Sequence, residues 1–149
     1  MVDRFKTFTI LIAKISRSIR KIKTEEMKEL KLKSVHVSCL YYLFKHNGFL
    51  TAKELCNICE EDKAAVSRSL DYLEKEAYIS CLSTTKKRYK SPLTLTEKGL
   101  EVGKQITEKI DNILNSAGNG MVEEERNHFY KSLNLISENL QKICEKYGE

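Results

Sequence analysis

Apolar residues recur every three or four positions at both ends of this chain. Phe5, Phe8, Ile12, Ile15, Ile19 and Ile22 follow a 3-4-3-4-3 spacing, and Phe129, Leu133, Ile136, Leu140, Ile143 and Tyr147 a 4-3-4-3-4 spacing. Each set therefore falls on one face of a long helix, close to the period of a coiled coil. The other faces of the first helix hold Arg4, Lys6, Lys14, Arg17, Arg20, Lys21 and Lys23. A third long helix is predicted to start at Thr96 or Glu97 and to bury Leu100, Ile106, Ile110 and Ile113. The run Asn115, Ser116, Ala117, Gly118, Asn119, Gly120 should break it, because Gly and Asn tolerate positive φ.

The middle of the chain has shorter elements. Residues 35–46 read as a helix with Val35, Cys39, Tyr42 and Leu43 on one side, closed by Asn47 and Gly48. Thr51 should cap a short helix over 52–60, and Asp62 a second over 63–76 with Val66, Leu70, Leu73 and Ala77 inward. Two β-prone runs follow, 78–83 and 90–95, joined by a polar turn at 84–88. Pro92 suits an edge strand, where its missing N–H costs nothing. Helix, helix, turn, helix and hairpin in that order make a winged helix-turn-helix. The predicted fold class is mainly α, a winged helix-turn-helix with long N- and C-terminal dimerisation helices.

Composition narrows the class without deciding it. Of 149 residues, 41% are hydrophobic and 32% charged, enough apolar material for one domain and too much for a disordered tail. No apolar run approaches the roughly 18–20 residues that span a bilayer. Lys14, Arg17 and Arg20 interrupt the N-terminal isoleucines, so no secretory signal is expected and the protein should be cytoplasmic. The net charge of +5 matters through its placement.

That placement is informative. On the helix over 63–76, the face opposite the apolar residues presents Ala64, Arg68, Asp71 and Lys75, flanked by Ser67 and Tyr72. Small residues let a helix backbone approach a groove, an Arg can fork onto guanine, and a hydroxyl can reach a phosphate or base edge. A solvated face with Arg68 paired to Asp71 is the plain alternative. The hairpin turn favours DNA: Lys86, Lys87, Arg88 and Lys90 are four cations within five residues, with no acid among them. Phosphates beside them would relieve their mutual repulsion and add affinity through counterion release. Thr51, Lys63, Ala64, Ser67, Arg68, Lys86, Lys87, Arg88 and Lys90 are the candidate DNA-binding residues.

The segment from Thr51 to Ile79, the basic turn and the sequence Leu95-Thr96-Glu97-Lys98-Gly99 together resemble the MarR family of bacterial transcriptional regulators. The marks are Asp62, Val66-Ser67-Arg68, Leu70, Leu73-Glu74, Ile79 and that last pentapeptide, and the likeness covers essentially the whole chain. It implies a homodimer held by its terminal helices on a pseudo-palindromic double-stranded DNA operator. Ser67 and Arg68 match the family's groove-reading positions, and Arg88 approximates its minor-groove arginine. Two positions depart from the family pattern. Lys86 replaces the Asp that braces the wing arginine, and Ala77 replaces the Gly that ends the reading helix. A left-handed Ala is strained, so the helix is expected to end differently there. The resemblance also implies a small aromatic effector that loosens DNA binding. Phe8, Ile12, Arg17, His36, Tyr41, Tyr42 and Phe44 are candidates to line its crevice, with Ile12, Arg17, His36 and Tyr41 foremost; ordinary core packing is the alternative.

No catalytic set or resident cofactor is legible. Cys56 and Cys59 form a C-x-x-C, but no second ligand pair accompanies it, so buried packing is the expected role and no metal site is assigned. His36, His46 and His128 are scattered, and nucleotide-binding and hydrolase motifs are missing. The reading is a single domain over 1–149, with a DNA-binding module at 34–96 and dimerisation regions at 1–33 and 97–149. Its function is transcriptional regulation, with repression the expected sense, and it is not an enzyme. Alternatives are a winged-helix protein-interaction module without specific DNA binding, and a DNA binder switched through Cys39 or Cys81.

Overall fold

Local caps set most of the helix boundaries in the computed structural model, which describes residues 1–47, 49–59, 61–81 and 91–148. Asp3 accepts from the Lys6 amide at 2.9 Å and starts α1, Arg4–Glu26. A short 3-10 turn at Lys28–Leu30 leads into α2, Ser34–Lys45. Thr51 and Glu54 cap reciprocally at 3.1 and 2.8 Å and start α3, Ala52–Ile58. Asp62 accepts from the Ala65 amide at 2.7 Å and starts α4, Lys63–Lys75. Capping oxygens at these positions satisfy amides that a helix start leaves unpaired, each contributing on the order of 1 kcal/mol.

The chain divides into two compact units, Met1–Ile110 and Asp111–Glu149. In the first, α2 is the centre. Val37, Cys39, Leu40 and Leu43 are buried, along with Ser34, His36 and Ser38. Its core surface is thus wider than the expected one-sided stripe, and Val35 and Tyr42 are only half-buried. A helix covered on most sides must be apolar round most of its circumference. Leu55 of α3 and Val66, Leu70 and Leu73 of α4 pack into the same core.

A three-stranded antiparallel sheet borders this core, in the order β1-β3-β2. β1 is Leu50–Thr51, β2 is Ile79–Cys81 and β3 is Pro92–Leu95. Leu50 pairs with Leu93, and Ile79 with Leu95. The expectation that Pro92 lies on an edge strand is therefore corrected, because β3 is central. Pro92 is tolerated as the first residue of its strand, facing only the two-residue β1 through Thr51.

Ala77, expected inward, is exposed and adopts φ +63°. The helix ends as it would with glycine. Tyr78 N–H donates to Leu73 C=O at 2.8 Å and Ala77 N–H to Glu74 C=O at 3.0 Å, the Schellman pattern. Buried Tyr78 and Leu73 complete it. A left-handed alanine costs roughly 1–2 kcal/mol, so the two bonds and the apolar contact outweigh the strain. Ala77→Gly is expected to stabilise the protein by about 1 kcal/mol. A urea titration would show a higher midpoint, and a lower one would contradict this account.

The third long helix is α5, Glu97–Ala117. Ile106 turns inward as expected, but Leu100 does not, and two glycines join the contact face. Gly99, Val102, Gly103, Ile106 and Thr107 are buried, Ile110 and Ile113 are half-buried, and Leu100 is 51% exposed. A β-carbon on Gly103 would lie 3.1 Å from Phe44 Cβ and Cδ2, so the glycines rather than the largest side chains mark the contact face. The break after α5 also comes later than expected. Residues 115–117 are still helical, and the turn covers 118–120, with Gly120 at φ +91°.

In the second unit, α6 spans Glu123–Glu145. Glu125 Oε2 accepts from the Val122 amide at 3.0 Å, and Glu123, Glu124 and Glu125 place negative charge at the helix's positive end. Phe129, Ile136, Leu140 and Ile143 are exposed and Leu133 half-buried. No helix among the described residues is long and apolar enough to cross a membrane.

Candidate nucleic-acid interface

The chemistry of α4 follows from which residues anchor it. Val66, Ser69, Leu70 and Leu73 are buried, which turns Lys63, Ala64, Ser67, Arg68, Asp71 and Lys75 to solvent. Four of the candidate DNA-binding residues, Lys63, Ala64, Ser67 and Arg68, thus share one exposed surface in the first half of the helix. The positive end of the helix dipole lies at the same place, beside the capping Asp62 carboxylate. Thr51 is half-buried at the start of α3, with its Oγ1 already accepting from Glu54 N–H. Lys86, Lys87, Arg88 and Lys90 lie outside the described residues.

Three sets of contacts fix α4 relative to the rest of its unit. At its N-terminal side, Arg20 of α1 pairs with Glu61 at 3.4 Å, next to the capping Asp62. In its middle, Tyr72 stacks on buried His36 with ring centroids 4.4 Å apart and planes 13° from parallel. At its C-terminal end, Thr96 Oγ donates to the Ala77 carbonyl at 2.6 Å and accepts from Gly99 N–H at 3.1 Å. Lys98 Nζ donates to the Glu76 carbonyl at 2.8 Å and sits 4.2 Å from the Tyr78 ring centroid. Thr96, Lys98 and Gly99 therefore clasp the end of α4 to the start of α5.

His36 is part of this frame. Its Nδ1 accepts from the Lys33 amide at 3.0 Å and so caps α2. Burial and the nearby Lys33 charge lower its pKa below the ordinary histidine value. The unfolded imidazole takes up a proton near pH 6.5, while the folded one resists. Stability should therefore fall as pH drops below about 6.5 and level off below the folded-state pKa. His36→Gln keeps an acceptor and removes the titration, so its stability should vary less over that window. Urea midpoints at several pH values test this, and an unchanged pH slope would assign the effect to other groups.

Comparison with solved structures places this arrangement. A MarR protein from Peptoclostridium difficile superposes with a TM-score of 0.81 at 25% identity, covering 98% of this chain and 94% of that one. A MarR-family transcriptional regulator from Listeria monocytogenes, solved in complex with a 26mer DNA, gives 0.81 at 24% identity, covering 100% and 97%. The chain has the fold of MarR-family regulators. An organohalide-sensing transcriptional regulator in its 2,4-dichlorophenol-bound form gives 0.75 at 20% identity, covering 93% and 82%. No family sequence model and no curated protein matches the chain.

Within this MarR fold the four candidate effector residues have different settings. Ile12 and Arg17 are exposed on α1, Tyr41 is half-buried on α2, and His36 is buried with Nδ1 engaged. Sequence reasoning missed the positioning contacts Arg20–Glu61 and His36–Tyr72, which join residues far apart in the chain. It located the pentapeptide Leu95 to Gly99 as a family mark without its mechanical role. Among the described residues no group of three or more His, Cys, Asp or Glu side chains could hold a metal ion.

Proposed function

We propose that this chain is a homodimeric, sequence-specific double-stranded DNA-binding transcriptional regulator that acts in the cytoplasm as a repressor and has no enzymatic activity. The observation that carries this reading is the exposed α4 surface of Lys63, Ala64, Ser67 and Arg68 on a fold shared with a DNA-bound regulator. Residues 34–96 form the DNA-binding module, and 1–33 with 97–149 serve dimerisation. Arg68 reads a base edge, Lys63 and Thr51 contact phosphate, and the basic turn at 86–90 follows the backbone or minor groove. Two copies related by a two-fold axis match a pseudo-palindromic operator. A small aromatic effector that releases DNA fits the family and the dichlorophenol-bound neighbour.

Fluorescence anisotropy with duplexes from the DNA flanking the coding sequence, and with scrambled duplexes, tests this. Arg68→Ala should cost about 1–3 kcal/mol on the specific duplex and relax sequence preference. Lys86→Ala with Lys87→Ala should weaken both duplexes alike. With two lysines per subunit, the slope of log K against log salt should become shallower by roughly 3.6. No difference between specific and scrambled duplexes for the unmodified protein would overturn the reading.

A further inference from the structure

The start of α4 carries two carboxylates where the proposed function brings DNA phosphates. Asp62 caps the helix through the Ala65 amide at 2.7 Å, and Glu61 precedes it with 19% of its side chain exposed. Left alone, both would repel a phosphate. A cation from α1 answers Glu61: Arg20 Nη2 lies 3.4 Å from Glu61 Oε1. That contact leaves most of the guanidinium unused. The Arg20 side chain is 62% exposed, and a guanidinium has five N–H donors on three nitrogens, of which the pair engages one. The setting is cationic as well. Between Arg4 and Thr24, α1 has no Asp or Glu. Arg17 and Lys21 are exposed on the same side of α1 as Arg20, and Lys63 is exposed directly after Asp62.

The geometry points to Arg20 as a DNA-backbone contact: braced by Glu61, it reaches from α1 to a phosphate beside the N-terminus of α4. This rests on the DNA-binding function proposed above and adds to it a contact from the region assigned there to dimerisation. The occupant is a phosphate rather than a base edge, because Arg20 stands on α1 and not on the helix that enters the groove. Glu61 contributes orientation. A guanidinium already held by one carboxylate loses less side-chain freedom when its planar fork takes a second oxyanion. Arg17 and Lys21 keep the local potential positive although the pair itself is neutral. An exposed ion pair of this kind adds little to stability. Its loss is therefore read in DNA affinity and salt dependence, with the fold retained.

The experiment is an anisotropy titration of the full-length chain at several salt concentrations, with duplexes from the DNA flanking the coding sequence and with scrambled ones. Arg20→Ala should weaken both duplexes alike. With one phosphate per subunit in a dimer, the slope of log K against log salt should become shallower by roughly 1.8. Arg20→Lys keeps the charge and should restore most of that slope. Glu61→Gln should bind at least as tightly as the unmodified chain, and Arg20→Ala combined with Glu61→Gln should keep the shallower slope. An unchanged slope in Arg20→Ala would overturn the contact. So would full recovery in the double variant, which would mean that Arg20 only neutralises Glu61. Weakened binding in Glu61→Gln would overturn it too, assigning the pair to holding the turn. Urea midpoints of the variants should match the unmodified chain, and a large drop for Arg20→Ala would make its role structural. If the unmodified chain binds no duplex, the DNA-binding reading fails and this contact with it. Normal binding with an unchanged Arg20→Ala slope fails this contact alone.

Discussion

Gly99→Ala should be the most damaging single-methyl change in this chain, destabilising it by about 3 kcal/mol. A β-carbon there would land on the Tyr78 carbonyl oxygen, closer than any non-bonded contact allows, and 3.1 Å from Leu95 Cδ2. The obstacle is backbone, and that backbone is held. The Tyr78 carbonyl also accepts from the Thr96 amide at 3.1 Å, and Tyr78 N–H closes the end of α4. Moving it would release Thr96 and Lys98 from the α4 C-terminus. Alanine gains about 1 kcal/mol over glycine in helix propensity, too little to offset the clash. Gly103→Ala is the control. The three atoms nearest its β-carbon all belong to the Phe44 side chain, at 3.1–3.3 Å, which can give by a few tenths of an ångström, and the propensity gain should leave the net change near zero. Urea denaturation followed by circular dichroism measures both, and a Gly99→Ala protein as stable as the unmodified one would show that the close approach does not exist.

The same glycines show where sequence reasoning stops. Periodicity finds contact faces by counting apolar side chains, and it correctly set Val66, Leu70 and Leu73 inward. On α5 it chose Leu100, because Gly99 and Gly103 have no side chain to count. Caps were legible at Thr51 and Asp62 because their hydrogen bonds span three residues. The two-residue strand Leu50–Thr51 was not, since it is too short to show a period and depends on β3, about forty positions later. Ala77 was misjudged for an energetic reason. Local strain argued against a left-handed alanine, but two hydrogen bonds and the burial of Tyr78 decide its conformation. On the candidate site, the exposed chemistry of α4 was readable, because what α4 presents follows from what it buries. The ring stack between His36 and Tyr72 was not, since nothing local ties positions so far apart.

A double replacement on α6, Ile136→Asp with Ile143→Asp, should convert the proposed dimer into monomers. In the single chain Phe129, Ile136, Leu140 and Ile143 expose 45%, 38%, 49% and 46% of their surface. Nearly half of each side chain therefore remains to be covered, on one continuous helical stripe. Isolated exposed leucines are ordinary, whereas a contiguous apolar face marks an interface. In a two-fold dimer each change occurs twice, and at roughly 1.5 kcal/mol for each lost side chain the total is about 6 kcal/mol. That corresponds to about 10⁴-fold in the dissociation constant, enough to separate subunits at micromolar concentration. α6 itself should stay helical, because its capping Glu125 and acidic first turn are untouched. Sedimentation should give a dimer for the unmodified chain and a helical monomer for the variant. DNA affinity should fall with it, since a monomer would offer one reading helix to the proposed two-half-site operator and lose the gain from binding both at once. A well-folded monomer from the unmodified chain would refute the dimer, and with it the symmetric operator.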